Sequence, residues 1–208
     1  MCKYYAVIFD CDGVMFDSRQ ANINFYNNIL KRLGLSDMTK EEEAYIHMHT
    51  VGESLHYILK DTPFEKMADN YSIGNDYFPF LKNMVMEPGL KELLSALKPD
   101  FRLGIATNRT TTIGEVLKIN GIDTFFDIVV SSLDVKKIKP HPESLYKILD
   151  FLKIDPEQAL YIGDSSVDAE MAKKAGVPFA AYKNDDLEAT YHVKSHREIG
   201  HIVGVTID

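Results

Sequence analysis

The feature of this chain that most constrains its fold is a series of short, almost uninterrupted apolar segments separated by amphipathic stretches. Such segments are typical of strands that are covered on both faces, as in a parallel sheet. We predict strands at residues 4–9, 101–107, 127–131, 159–163 and 178–182. The stretches between them carry leucine and isoleucine at helical spacing, for example at 89–98 and 143–152. This alternation predicts an α/β fold with a doubly wound, mostly parallel sheet.

One long segment interrupts the alternation. Residues 17–86 carry helical patterns but no convincing strand pattern, and Thr39 and Glu42 have the spacing of a helix capping box. We therefore predict an inserted all-helical domain at 17–86 and an α/β catalytic core formed by 1–16 and 87–208. The alternative is a set of helices packed directly on the sheet.

Composition limits the classes of partner. The 208 residues are 45% hydrophobic and 26% charged, as in ordinary globular proteins. The formal charge of −8 argues against a nucleic acid held by a broad basic surface, and an anionic substrate would have to be attracted by a local field. Two cysteines without a CxxC motif suit a reducing cytosol. No apolar run approaches about 18 residues, and an acidic pair arrives by residue 10, so we expect a cytoplasmic protein without a membrane segment.

Acidic residues follow two of the predicted strands. Asp10 and Asp12 come directly after the first strand, and Asp164 and Asp168 follow the fourth. Ligands of open parallel sheets bind beyond the carboxyl ends of the strands, and alternate residues of an extended segment point to the same side. Several carboxylates at one place raise the free energy of the folded state unless a cation lies among them. Mg²⁺ is a suitable cation, because it prefers oxygen ligands. The sequence therefore predicts a magnesium site at this edge of the sheet.

The same edge carries groups suited to phosphoryl transfer. Of two close carboxylates, one tends to keep a proton, so that Asp10 and Asp12 can divide the roles of attacking group and proton donor. The hydroxyl of Thr107 and the amide of Asn108 follow the second core strand, and Lys139 lies near the start of a helix. These groups can hold the oxygens of a phosphate. The pattern predicts carboxylate attack on a metal-bound phosphate.

The order of these motifs resembles the haloacid dehalogenase superfamily over essentially the whole chain. The four matching segments are FDCDG at 9–13, ATNR at 106–109, KP at 139–140 and GDSSVD at 163–168. The resemblance implies a Rossmann-like core. It also implies that the inserted helices form a cap of the kind found in the phosphoglycolate-phosphatase-like and β-phosphoglucomutase-like branch, which closes over the substrate.

The resemblance also implies roles for individual residues. Asp10 would be the nucleophile that forms an aspartyl-phosphate, and Asp12 the general acid and then the base that activates water. Mg²⁺ would be bound by Asp10, Asp164 and the backbone carbonyl of Asp12, with Asp168 in or near its coordination shell. The implied phosphate-binding residues are Thr107, Asn108 and Lys139. The expected partner is a small phosphate monoester of the phosphoglycolate or sugar-phosphate class, with no nucleic acid and no membrane; the oligomeric state is open.

Other functions stay open at this point. A phosphomutase of the β-phosphoglucomutase kind would share every core residue and differ in its cap. A dehalogenase has no leaving alkoxide to protonate, so Asp12 argues against one. A non-catalytic binding module would be expected to lack Asp10, Asp12 or Lys139, all of which are present. A cysteine phosphatase needs an arginine six positions after its cysteine, but Asp17 follows Cys11 at that spacing.

Simpler structural roles also compete with the functional ones. Asp168 could cap the helix that follows it, and Thr107 and Asn108 could cap theirs. Arg109 could bind substrate or face solvent.

Overall fold

The apolar segments form one six-stranded sheet in which every neighbouring pair of strands is parallel. This computed structural model describes residues 3–46, 49–70 and 76–207. The strands of the sheet are β1 (Ala6–Phe9), β4 (Arg102–Ala106), β5 (Ile128–Val130), β6 (Ala159–Gly163), β7 (Phe179–Tyr182) and β8 (Tyr191–Val193). Their order in the sheet is β5-β4-β1-β6-β7-β8. The parallel α/β fold predicted from the sequence is confirmed, as are all five predicted strands.

Two features of strand pairing were not predicted. The edge strand β8 has three residues, and only its Val193 is fully buried, so it lacks the continuous apolar run that marks the other strands. The short strands β2 (Phe16–Asp17) and β3 (Val85–Met86) pair with each other in a separate two-stranded sheet. Two residues carry too little pattern for a strand prediction, and β3 lies in the stretch for which the sequence predicted none.

Eight α-helices occur in the described part of the chain. They are α1 (Arg19–Arg32), α2 (Lys40–Ile46), α3 (Val51–Leu59), α4 (Leu90–Leu97), α5 (Ile113–Ile119), α6 (Glu143–Leu152), α7 (Ser166–Ala175) and α8 (His196–Val203). The capping box predicted at the start of α2 is present, since Glu42 N–H donates to Thr39 Oγ1 and Thr39 N–H donates to the Glu42 carboxylate. None of these helices combines the length and the apolar character needed to cross a bilayer.

The chain divides into two compact units, one made of Met1–Asp17 and Met86–Asp208 and the other of Ser18–Val85. The second unit contains α1 to α3 and two 3₁₀ helices, Glu65–Asn70 and Phe78–Asn83. Its core includes an aromatic cluster in which Phe25 packs against Tyr26, Tyr77 and Phe80. This unit therefore has an apolar core of its own.

The centre of the sheet is buried on both faces, which explains the continuous apolar runs. Every residue of β1 and β6 is buried. On one face, Ile8 and Tyr161 pack in the same cluster as Leu145 of α6 and Met171 of α7. The chain leaves β1 for β4 on one side and later returns to β6 on the other, so the strand order reverses at β1. In such sheets the crevice beyond the carboxyl end of the reversal point is where ligands bind.

Candidate active site

A cluster of three carboxylates lies at the carboxyl ends of β1 and β6. Asp10, Asp164 and Asp168 each offer an oxygen, and these oxygens all lie within 4.8 Å of one another. Asp10 is 8% exposed and Asp168 is fully buried. An all-oxygen donor set of this size and charge fits a small hard divalent cation such as Mg²⁺. The structure thus brings together three of the four acidic residues predicted for the metal.

Lys139 supplies a positive charge inside this cluster. Its Nζ donates to Asp10 Oδ1 at 2.7 Å and to Asp168 Oδ1 at 2.8 Å, and its side chain is only 3% exposed. Burial lowers the pKa of the ammonium, but the two carboxylates outweigh burial and raise that pKa overall. Lys139 therefore stays charged over the physiological range and offsets part of the repulsion among the acids.

The carboxylates differ in their protonation. Burial and the neighbouring acids Asp168, Asp164 and Asp12 raise the pKa of Asp10 well above its ordinary value, although Lys139 opposes the shift. Burial and repulsion from Asp168 raise the pKa of Asp164 to about 7. Burial also disfavours the charged form of Asp168, but Lys139 and hydrogen-bond donors outweigh it and the pKa is lowered. A bound cation would reverse the shifts of Asp10 and Asp164, because it favours their ionised forms.

Asp168 is held by protein donors on both of its oxygens. Oδ1 accepts from Lys139 and from the Tyr161 hydroxyl at 2.6 Å, and Oδ2 accepts from the backbone N–H and the hydroxyl of Ser165. Ser165 occupies the N-cap position of α7, so Asp168 also closes the first turn of that helix. These bonds favour a role in holding Lys139 and the loop after β6, and they count against direct metal coordination by Asp168, which stays a prediction.

Two glycines allow the carboxylates to approach the backbone. A Cβ on Gly13 would lie 1.9 Å from Asp164 Oδ2, and Gly13 has a φ of +75°. A Cβ on Gly163 would lie 2.5 Å from Cβ of Asp168. Both positions therefore need glycine for the cluster to form, Gly13 also because its backbone is left-handed.

Thr107 and Asn108 follow β4 at the same edge. Thr107 is 3% exposed, and its Oγ1 accepts from the backbone N–H of Arg109 at 3.1 Å. Asn108 Oδ1 accepts from the backbone N–H of Lys139 at 3.1 Å, which ties the loop after β4 to Lys139. Helix α5 begins at Ile113, so neither residue caps it and the simpler structural role for them is wrong. Accepting a bond leaves the Thr107 hydroxyl proton able to bind a phosphate oxygen.

Asp12 lies outside the carboxylate cluster and pairs with Arg109 instead. Arg109 Nε donates to Asp12 Oδ2 and Nη2 donates to Asp12 Oδ1, both at 2.8 Å. The Arg109 side chain is 7% exposed and the Asp12 side chain 36%. The sequence left Arg109 undecided between substrate and solvent, and the structure places it in the site.

Further site residues were not predicted at all. Tyr161 and Ser165 bind Asp168, and Asn184 Nδ2 donates to the backbone carbonyl of Asp164 at 2.8 Å. Tyr161 could have been suspected, because a tyrosine in a fully apolar strand needs a partner for its hydroxyl. Asn184 lies in a polar loop, where the sequence distinguishes it from no other surface residue.

Comparison with known proteins gives consistent results. A family model described as haloacid dehalogenase-like hydrolase matches residues 7–182. The pyrophosphatase PpaX of Bacillus cereus (strain Q1) is 30% identical over 184 residues, covering 86% of this chain and 83% of that protein. A solved HAD-superfamily hydrolase of subfamily IA, variant 1, from Geobacter sulfurreducens PCA has a TM-score of 0.86 and 39% identity, and 98% of each chain is covered. β-Phosphoglucomutase from Clostridium difficile shares the fold, with a TM-score of 0.77 and 22% identity over 97% of each chain.

Proposed function

The chain belongs to the haloacid dehalogenase-like hydrolases, and from this premise we propose that it is a Mg²⁺-dependent phosphatase. Its substrate would be a small phosphate monoester of the phosphoglycolate or sugar-phosphate class, hydrolysed through an aspartyl-phosphate. The observation that carries the proposal is the buried cluster of Asp10, Asp164 and Asp168 with Lys139 among them. A solvated turn would not gather three acids, two of them buried against one lysine, at this cost in desolvation.

Residues at the carboxyl edge could hold the metal. Asp10, Asp164 and the backbone carbonyl of Asp12 would bind Mg²⁺, and Asp168 would support Lys139 beside them. When bound, the ion supplies positive charge that lets a phosphate dianion approach a carboxylate.

The side chains of this chain would then carry the reaction. Asp10 attacks phosphorus while Lys139 and Thr107 bind the oxygens of the phosphoryl group, with Asn108 holding the backbone of Lys139 in place. Asp12 gives a proton to the leaving oxygen and afterwards takes one from the water that attacks the aspartyl-phosphate. The inserted helical segment, 17–86, acts as the cap that excludes other water.

Phosphate release across a panel of esters tests the proposal. The panel holds glycolate, sugar, nucleotide and aryl phosphates, each assayed with Mg²⁺ and with EDTA. Wild-type protein should release phosphate only with Mg²⁺, and Asp10→Asn should lower turnover by at least about a thousandfold. The exposed Asp150→Asn is the matched control and should retain full activity. Turnover that survives Asp10→Asn would refute the proposal.

A second candidate is inorganic pyrophosphate hydrolysis. It is favoured by the likeness to the pyrophosphatase PpaX of Bacillus cereus, which covers most of both chains. The same residues would act, because pyrophosphate presents the same terminal phosphoryl group with phosphate as its leaving group. Pyrophosphate therefore belongs in the panel, and kcat/KM relative to phosphoglycolate decides between the two.

A phosphomutase stays the other alternative, given the fold shared with β-phosphoglucomutase. Supplying a hexose monophosphate with its bisphosphate separates the two activities, since a mutase yields the isomer and a phosphatase yields free phosphate.

A further inference from the structure

The ion pair between Arg109 and Asp12 is more tightly built than a surface contact. Two guanidinium nitrogens reach the two oxygens of Asp12 at 2.8 Å, and Nη1 donates to Thr112 Oγ1 at 3.1 Å. The backbone of Arg109 is fixed as well, because its carbonyl accepts from the backbone N–H and the hydroxyl of Ser132, each at 3.0 Å. The buried cation therefore has a defined position at the site.

A guanidinium fork fits any group with two adjacent anionic oxygens. Carboxylates and phosphoryl groups both accept two parallel N–H bonds from arginine. Asp12 now fills that fork, so the site already shows the geometry with which Arg109 binds such an anion. A second anion of the same charge could replace Asp12 without leaving the buried guanidinium unpaired.

The guanidinium group of Arg109 lies on the side of the site where the leaving group would depart. In the proposed function, Asp12 protonates the oxygen that departs from phosphorus, so the leaving group lies beside Asp12. Arg109 contacts Asp12 directly and therefore lies beside the leaving group as well. Lys139 is already held by Asp10 and Asp168 on the phosphoryl side.

We propose that Arg109 is a specificity-determining residue that binds an anionic group carried by the leaving group, a carboxylate or a phosphate. This inference rests on the proposed function and deepens it. The substrate anion takes the fork, and Asp12 is released beside the departing oxygen. A neutral leaving group has no anion that could replace Asp12 on the guanidinium. Arg109 therefore stays bound to Asp12, and turnover is slower. The enzyme should thus prefer phosphorylated acids and pyrophosphate to esters of neutral alcohols.

The test compares substrates that expel similar alkoxides but differ in the charge those alkoxides carry. Phosphoglycolate is paired with its carboxamide analogue, and ethylene glycol bisphosphate with 2-methoxyethyl phosphate, and kcat/KM is measured for wild type, Arg109→Gln and Arg109→Lys. The wild type should prefer each anionic member by roughly tenfold to a hundredfold, the range of charge-assisted hydrogen bonds. Arg109→Gln should abolish this preference, and Arg109→Lys, which keeps charge but not the fork, should retain part of it. The larger preference identifies the anion as carboxylate or phosphate.

The ratio of kcat/KM between the two members of a pair separates a loss of specificity from a general loss of activity. Loss of the Asp12 contact affects both members of a pair alike, whereas loss of anion binding affects one. Arg102→Gln is the matched control, because Arg102 lies at the other end of β4, pairs with Asp127 and should leave the ratios unchanged. Equal losses for both members, or no preference in the wild type, would overturn the inference while leaving phosphatase activity intact. Absence of all turnover in the wild type would refute the proposed function itself.

Discussion

At the scale of single residues, the site depends on how closely acidic side chains approach one another and the backbone. Asp10, Asp164 and Asp168 have oxygens within 4.8 Å of one another, and Asp10 and Asp168 are buried. Lys139 compensates two of them, and Gly13 leaves room for the third. A side chain at position 13 should therefore lower activity more than a side chain at another glycine of positive φ.

Substitution of Gly13 tests this point. Gly13→Ala places a methyl group where Asp164 Oδ2 now lies, so we expect loss of the Mg²⁺-induced rise in melting temperature and at least about a hundredfold lower kcat/KM. Gly204→Ala is the control, since Gly204 also has positive φ, +81°, but no atom within 4 Å of the added Cβ. It should cost about 1–2 kcal/mol of stability and leave activity unchanged. Equal behaviour of the two variants would contradict this reading.

The acidic residues of the cluster could be predicted from sequence because strand ends are local features. Asp10 and Asp164 each follow an apolar run, and parallel strands bring such ends together. The pairing of Arg109 with Asp12 could not be predicted, because it depends on the side-chain direction in the loop after β4. The bonds of Asp168 to Tyr161 and Ser165 likewise depend on packing between β6 and α7.

For whole strands and helices, the sequence predicted an element correctly where its local apolar pattern was strong and missed it where that pattern was weak. Strand β6 was predicted with its observed bounds, because all five residues are buried and apolar or glycine. Strand β8 was missed, because an edge strand is half solvated and its pattern is short. Helix α7 ends where Gly176 adopts a φ of +71°, a left-handed conformation that glycine accommodates readily. Its start is coupled to the site through Ser165 and Asp168.

Alanine variants of two N-cap serines distinguish an effect on helix stability from an effect on the geometry of the site. Ser165 precedes α7 and Ser195 precedes α8, and alanine at either position should cost about 1 kcal/mol in urea unfolding. Only Ser165→Ala also removes a hydrogen bond to Asp168, so it alone should lower kcat/KM, by about fivefold to tenfold. If Ser195→Ala lowered kcat/KM as much, the effect would have to be assigned to general destabilisation.

At the scale of the whole molecule, the second unit interrupts the first in sequence. The chain leaves the core through β2 and returns through β3, and these strands are hydrogen-bonded neighbours. The ends of the first unit are therefore close enough for a short connection.

This closeness leads to a deletion experiment. Replacing Ser18–Val85 with a short glycine-serine linker should leave a core that unfolds cooperatively and is stabilised by Mg²⁺. At one hundred times its dissociation constant, the ion should add about 2.7 kcal/mol to the free energy of unfolding. Calorimetry with Mg²⁺ and with EDTA measures both properties. A core that fails to fold would show that the inserted unit is needed for stability.

The pKa of Asp164 predicts how stability of the metal-free protein depends on pH. Folding raises this pKa to about 7, so between pH 5 and 7 the native state binds more protons than the unfolded chain and stability falls as pH rises. His196, whose pKa is lowered by burial, contributes the opposite slope. The informative quantity is therefore the difference in the free energy of unfolding between wild type and Asp164→Asn, measured in EDTA at each pH. We expect wild type to lose roughly 2–3 kcal/mol more than the variant between pH 5 and 8, measured by urea unfolding. Parallel pH profiles would contradict the assignment.

The proposed reaction requires that Asp10 becomes phosphorylated. Asp12→Asn should still transfer the phosphoryl group from an aryl phosphate, whose leaving group needs no proton, but should activate water poorly, so that the phosphorylated enzyme accumulates. Mass spectrometry of acid-quenched Asp12→Asn, incubated with aryl phosphate and Mg²⁺, measures this directly. We expect one phosphoryl group on Asp10, which is lost in the Asp10→Asn, Asp12→Asn double variant. A phosphoryl group on another residue, or hydrolysis by the wild type with none on Asp10 of the variant, would contradict it.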